Sequence, residues 1–178
     1  MIYVVRHGQT EWNKDRKMQG RMGVPLNDYG IEQAETLKVK LQNVKFDFVF
    51  SSPQKRAVQT AEIITGAQAL MDDRLDVFDV GEADGLPISE VKRVGLLPDL
   101  STYNGVENPT EFASRVFDFM KELQKQYGDK EMNILIAGHR CTTGCIGAYF
   151  KGIPTDGNVL QFSSDTGDYK TYSFSLFR

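Results

Sequence analysis

Three short apolar runs, IYVVR (2–6), FDFVFSS (46–52) and NILIAGH (133–139), are separated by stretches whose apolar residues recur at helical spacing. Short runs rich in β-branched and aromatic residues predict buried strands. After an N-cap at Asn27 or Asp28, YGIEQAETLKVKLQNV predicts an amphipathic helix with Ile31, Ala34, Leu37 and Leu41 inward. SPQKRAVQTAEIITG predicts a second helix, with Pro53 at its start and Gly66 past its end. EFASRVFDFMKELQKQYG, entered near Thr110, carries Phe112, Val116, Phe119 and Leu123 on one face, and CTTGCIGAYFKG predicts a short helix after the third strand. In the tail, NVLQFSS and YKTYSFSL flank Asp165-Thr166-Gly167-Asp168, a hairpin signal. Strands alternating with helices predict an α/β fold: a three-layer sandwich with a mainly parallel sheet, helices on both faces and a C-terminal hairpin at the sheet edge.

The 178 residues are expected to form a single domain. Residues 67–108 break the alternation, punctuated by Gly81, Gly85, Pro87, Gly95, Pro98 and Gly105, and predict an irregular excursion over the core. No apolar run is long enough to span a bilayer, and MIYVVRHG is too short in apolar residues for a secretory signal, so a cytoplasmic protein is expected. A net charge of −3 argues against nucleic-acid binding. Residues 1–21 nonetheless hold five basic residues against two acidic ones, a segment that could attract a small anion. Cys141 and Cys145 have the spacing of neighbouring helical turns, and with His139 they make no standard zinc pattern.

The chain has two histidines, His7 and His139, each directly after an apolar run and each beside a glycine. Ligands of open α/β sheets bind at the carboxyl ends of strands. Neighbouring strands would bring the two imidazoles into one pocket. Arg6 precedes His7, and Arg56 lies in the first turn of the helix after FDFVFSS. A helix start offers free N–H groups, and arginine adds a planar fork of donors. Together these residues predict a phosphate pocket.

RHGQTEWN (6–13), QGRMGVPLNDYGIEQA (19–34), SSPQKRAVQTA (51–61) and AGH (137–139) resemble, in order, motifs of the histidine phosphatase superfamily in its phosphoglycerate mutase-like branch. The resemblance implies that His7 is a nucleophile carrying a phosphohistidine. It implies that Arg6, Arg56 and His139, the last protonated, hold the phosphoryl oxygens. Thr10 and Asn13 would contact or support the phosphate loop, and Gly20 would let that loop approach the substrate. No cofactor or metal is then needed, because phosphoryl transfer requires alignment and charge neutralisation above all.

The family's acid is commonly a Glu four residues before a glycine, in a pattern like RLxExxxGxxxGL. Here RLDVFDVGEADGL (74–86) puts Val77 at that position. Among the nearby carboxylates Asp79 is the first substitute, because residues two apart share a face of an extended segment. Glu82 is second, Asp76 would point away, Asp84 is the weakest, and Glu107, in a GES-like element, is a further candidate. Arg140 follows His139 where the family often has a small residue, and is expected to face solvent. The expected activity is phosphomonoester hydrolysis on a small phosphorylated substrate or a phosphoprotein. The alternatives are a phosphoglycerate mutase and a weakly catalytic phospho-ligand binding or regulatory protein.

Overall fold

The computed structural model describes residues 1–174. In chain order its elements are β1 (Ile2–Arg6), α1 (Glu11–Lys14), α2 (Asp28–Lys40), β2 (Phe48–Ser51), α3 (Lys55–Thr65), β3 (Leu70–Met71), β4 (Arg93–Val94), β5 (Leu97–Pro98), α4 (Pro109–Tyr127), β6 (Ile134–Gly138), α5 (Arg140–Lys151) and β7 (Tyr169–Tyr172). The main sheet has the order β3-β2-β6-β1-β7. Its first four strands are parallel, and β7 adds antiparallel to β1.

β6 is buried along its whole length because both of its faces are covered. Successive side chains of a strand point to opposite faces. Ile134 and Ile136 therefore join one core with Phe112, Val116 and Phe119 of α4 and Ile146 of α5. Leu135 and Ala137 join the other with Ala34 and Leu37 of α2 and Ala61 and Ile64 of α3. Helices thus cover both faces, as the alternation of the sequence predicts.

Several details differ from the sequence reading. Asn27 caps α2 by accepting from the Gly30 N–H, and Ala34, Leu37 and Leu41 face inward, but Ile31 is exposed. Glycine fills that inward place instead: a Cβ on Gly30 would lie 2.1 Å from the Gln9 carbonyl oxygen. Helix α4 starts at Pro109, beside Thr110 as expected, with the Asn108 side chain accepting from the Thr110 and Glu111 N–H groups. Among the described residues the expected C-terminal hairpin is reduced to one antiparallel strand, β7, at the sheet edge. Residues Val159–Phe162 make a 3₁₀ turn capped by Asn158 rather than a strand. The physical reason is packing against α5, where two glycines leave the room: a Cβ on Gly144 would lie 2.7 Å from the Val159 carbonyl oxygen, and one on Gly147 would lie 2.4 Å from Phe162 Cβ. The run YKTYSFSL extends beyond the described residues.

Residues 67–108 are fastened at several points. Val80 bridges Val106, and Lys17 bridges Pro87. The Arg115 guanidinium, on α4, donates to the carbonyls of Arg74, Asp76 and Val77 at 2.9–3.1 Å. Glu107 holds that guanidinium through both of its carboxylate oxygens, at 2.8 and 3.0 Å.

Candidate active site

Register decides where the histidines go. Arg6 pairs with Gly138 across β1 and β6, so His7 and His139 emerge side by side. Their ring centroids are 5.2 Å apart. Ser51 pairs with Ala137 across β2 and β6, which puts Ser52 at the same end of the sheet. α5 begins directly after His139, and α3 begins three residues after Ser52. Two helix N-termini, with their unsatisfied N–H groups and positive dipole ends, therefore lie at the carboxyl ends of these strands.

Both imidazoles are buried. His7 Nδ1 lies 2.7 Å from the Gly8 carbonyl oxygen. A carbonyl only accepts, so Nδ1 carries the proton and Nε2 keeps its lone pair. His139 Nε2 lies 2.8 Å from Ser52 Oγ, while its buried Nδ1 has no partner among the described residues. Burial, reinforced by the positive charge of Arg56, lowers the pKa of His7 to about 3, and burial with Arg56 also lowers that of His139. Without a bound anion both rings are therefore neutral, so the protonated His139 expected from the resemblance requires an anion's negative charge beside it.

Arg56 is wholly buried. One Nη donates to the Gly20 carbonyl at 2.8 Å, and its Nε and other Nη have no partner among the described residues. Arg6 donates to the Ser164 carbonyl at 3.1 Å, and its Nε is likewise buried and unpartnered. Buried donors without acceptors are costly, and their concentration beside two histidines suits an anion.

Thr10 and Asn13 form a reciprocal capping box at the start of α1. Thr10 also donates to Gln19 Oε1 at 2.8 Å. A cavity of about 210 Å³ opens against Arg6, His7 and His139, with Asn13 and Gln19 on its wall. Thr10 and Gly20 are not on that wall. The close approach made by Gly20 is to the excursion: a Cβ there would lie 2.7 Å from Val80 Cγ2. Its N–H donates to Asp84, which also accepts from Met22.

The excursion supplies much of the wall, with Val77, Phe78, Val80, Leu97 and Pro98. Asp79, the first substitute for an acid, is not there. Its carboxylate folds back to the Gly81 N–H at 2.9 Å and faces Arg21 at 3.5 Å, and these contacts hold it away from the cavity. Glu82 is exposed and holds Asn104. Asp76 accepts from Gln54 and the Val77 N–H. Glu107 is committed to Arg115. Arg140 is exposed, as expected, yet it also borders the cavity near Arg6. Cys141 lines the cavity too, but among the described residues no three His, Cys, Asp or Glu side chains are grouped to hold a metal.

The sequence reading missed Ser52, Gln19 and residues 164–167. Gly167 donates to the carbonyls of both Arg6 and His7, at 3.1 and 3.0 Å, so this loop fixes the end of β1. The SSP turn signalled Ser52, whereas nothing local signals a contact made across 160 residues.

The family model of the histidine phosphatase superfamily (branch 1) matches residues 2–170. The chain belongs to that superfamily. Its members matched here include a Bacillus subtilis (strain 168) protein named uncharacterized phosphatase PhoE, 34% identical over 141 residues, covering 78% of this chain and 70% of the relative. The alpha-ribazole phosphatase of Shigella flexneri superposes with a TM-score of 0.76 at 25% identity, over 94% of this chain and 87% of that one. A phosphoserine phosphatase mutant of Entamoeba histolytica, solved with phosphoserine, shares the fold with a TM-score of 0.76 at 22% identity over 94% and 87% of the two chains. The chain is a phosphohydrolase of the histidine phosphatase type.

Proposed function

We propose that this chain hydrolyses the phosphate of a small phosphorylated substrate through a phosphohistidine on His7. The observation that carries the reading is the His7 ring, held by the Gly8 carbonyl so that a neutral Nε2 is free to attack phosphorus. Arg6, Arg56 and His139 hold the phosphoryl oxygens, Asn13 contacts them from α1, and Thr10 and Gly20 keep the 8–20 segment in place. Ser52 fixes the His139 ring. As negative charge develops on the phosphoryl and leaving oxygens, the buried guanidiniums offset it. Residues 1–178 act as one unit, with 67–108 covering the site. A cytoplasmic setting fits the two free cysteines, and no helix of the described residues is long and apolar enough to cross a membrane.

The test is a rapid quench of the purified protein with a radiolabelled phosphate donor. An acid-labile label on His7, absent from His7→Ala, is expected. Phosphate release without that label would sink the mechanism. A second reading, a phospho-ligand binding protein of feeble catalysis, draws on the cavity wall, where no carboxylate stands among the described residues. Stoichiometric phosphate binding with less than one turnover per hour across donors would select it.

A further inference from the structure

The cavity beside His7 combines positive charge with apolar surface. Arg6, Lys17, Arg93 and Arg140 line it together with Phe78 and Leu97, and Val77 closes the wall. Among the described residues no Asp or Glu lines it. The nearby carboxylates of Asp84, Asp79 and Asp76 are turned to other partners. Asp84 takes two backbone N–H groups, Asp79 takes the Gly81 N–H and faces Arg21, and Asp76 takes Gln54 and the Val77 N–H. None of the three reaches the cavity wall, where a leaving oxygen would sit. Asp165, which is exposed, rims an adjoining open depression that shares Arg6, Asn13, Lys17 and Ile88 with the cavity but is not on the cavity wall.

An alkoxide leaving group needs a proton as it departs, and a positioned acid supplies about 10²–10⁴ in rate. A phenolate or carboxylate needs no proton, and cations stabilise it as it forms. We infer that the site is built for a phosphoryl donor whose leaving oxygen is weakly basic, an aryl phosphate or an acyl phosphate, which departs as an anion against Lys17, Arg93 and Arg140. This rests on the phosphohistidine reading above. In the first step the His7 Nε2 lone pair forms the N–P bond. The P–O bond to the leaving group breaks, and its electron pair leaves on the oxygen without a proton. In the second step water adds to phosphorus, the N–P pair returns to Nε2, and H₂PO₄⁻ is released while Nδ1 keeps its proton throughout.

The experiment compares kcat/KM, which reports transfer to His7, for phenyl phosphates of graded phenol acidity, acetyl phosphate, and the alkyl esters phosphoserine and glycerol phosphate. The expected result is a steep dependence on leaving-group basicity, with aryl and acyl donors ahead of alkyl esters by at least 10³. Whether acyl donors exceed the line drawn by the aryl series identifies the source. Val77→Glu should narrow the alkyl-to-aryl ratio at least tenfold. If that variant does not fold, the wild-type slope decides alone. Alkyl esters within tenfold of aryl esters, with His7 labelled, would overturn this inference and leave the phosphohistidine reading standing. A selective loss of the alkyl rate in Asp79→Asn or Asp165→Asn would overturn it too and name the acid. No turnover and no label from any donor would overturn both.

Discussion

Arg56→Met should stabilise the protein in the absence of phosphate and lower its kcat by orders of magnitude. Burial of the guanidinium lowers its pKa from the ordinary arginine value to about 10, with Asp84 and Asp76 only partly compensating. At about 1.4 kcal/mol per tenfold change in acidity, carrying that charge costs the fold about 3 kcal/mol. Methionine removes the charge and two unpartnered buried donors while filling much of the same channel. Against this, the 2.8 Å bond to the Gly20 carbonyl is lost, which costs about 1.5–3 kcal/mol. The net gain is about 1 kcal/mol, or about 2–4 °C in Tm for a domain of this size. Phosphate should behave oppositely. At one hundred times its Kd it should stabilise the wild type by about 2.7 kcal/mol and the variant by almost nothing. Losing one donor to the developing charge should lower kcat by about 10²–10³. Thermal melts with and without phosphate, beside turnover of an aryl phosphate, check all three effects. A variant that melts more than 2 °C lower without phosphate refutes the charge-burial argument. One that keeps both the phosphate-induced shift and its kcat removes Arg56 from the anion site.

Stability should fall as pH drops below about 6.5, because the unfolded chain then protonates His7 and His139 while the folded one, with His7 near 3 and His139 well below its ordinary value, does not. Each histidine contributes a slope of up to about 1.4 kcal/mol per pH unit, with the stability fully present above pH 6.5. Urea midpoints at pH 7, 6 and 5 measure it, His7→Gln should flatten the slope, and a wild-type midpoint constant over that range would contradict the assignment. Arg115→Gln should release the 74–77 backbone from α4 and strand Glu107, at a cost of about 3 kcal/mol. Its kcat/KM should fall mainly through KM, since the excursion walls the cavity without touching phosphorus; an equal fall in kcat would show that the staple also orders the His7 end.

Much of this protein was legible in its sequence, for reasons of range. The strands at 2–6, 48–51 and 134–138 follow from local composition, and the capping of α2 by Asn27 follows from one side chain and its own neighbours. His7 and His139 could be nominated together because both stand directly after buried runs, and parallel register then brings such positions to one end of a sheet. Arg56 was legible from its place in the first turn after β2. The four ordered motifs made the family itself readable before any coordinate.

Tertiary structure decided the rest. The choice among Asp76, Asp79, Glu82 and Glu107 depended on which way a bent, irregular segment turns its carboxylates, and alternation along an ideal strand says nothing about a chain that bends at Gly81. There φ is +54°, and a Cβ would meet the Asn104 carbonyl oxygen at 2.1 Å. The 159–162 segment has strand-like residues, but packing against Gly144 and Gly147 of α5 outweighs that weak local preference. The neutrality of both histidines is likewise a property of the assembled site. It arises from desolvation and from two guanidiniums delivered by β1 and α3, distances that no local stretch of sequence encodes.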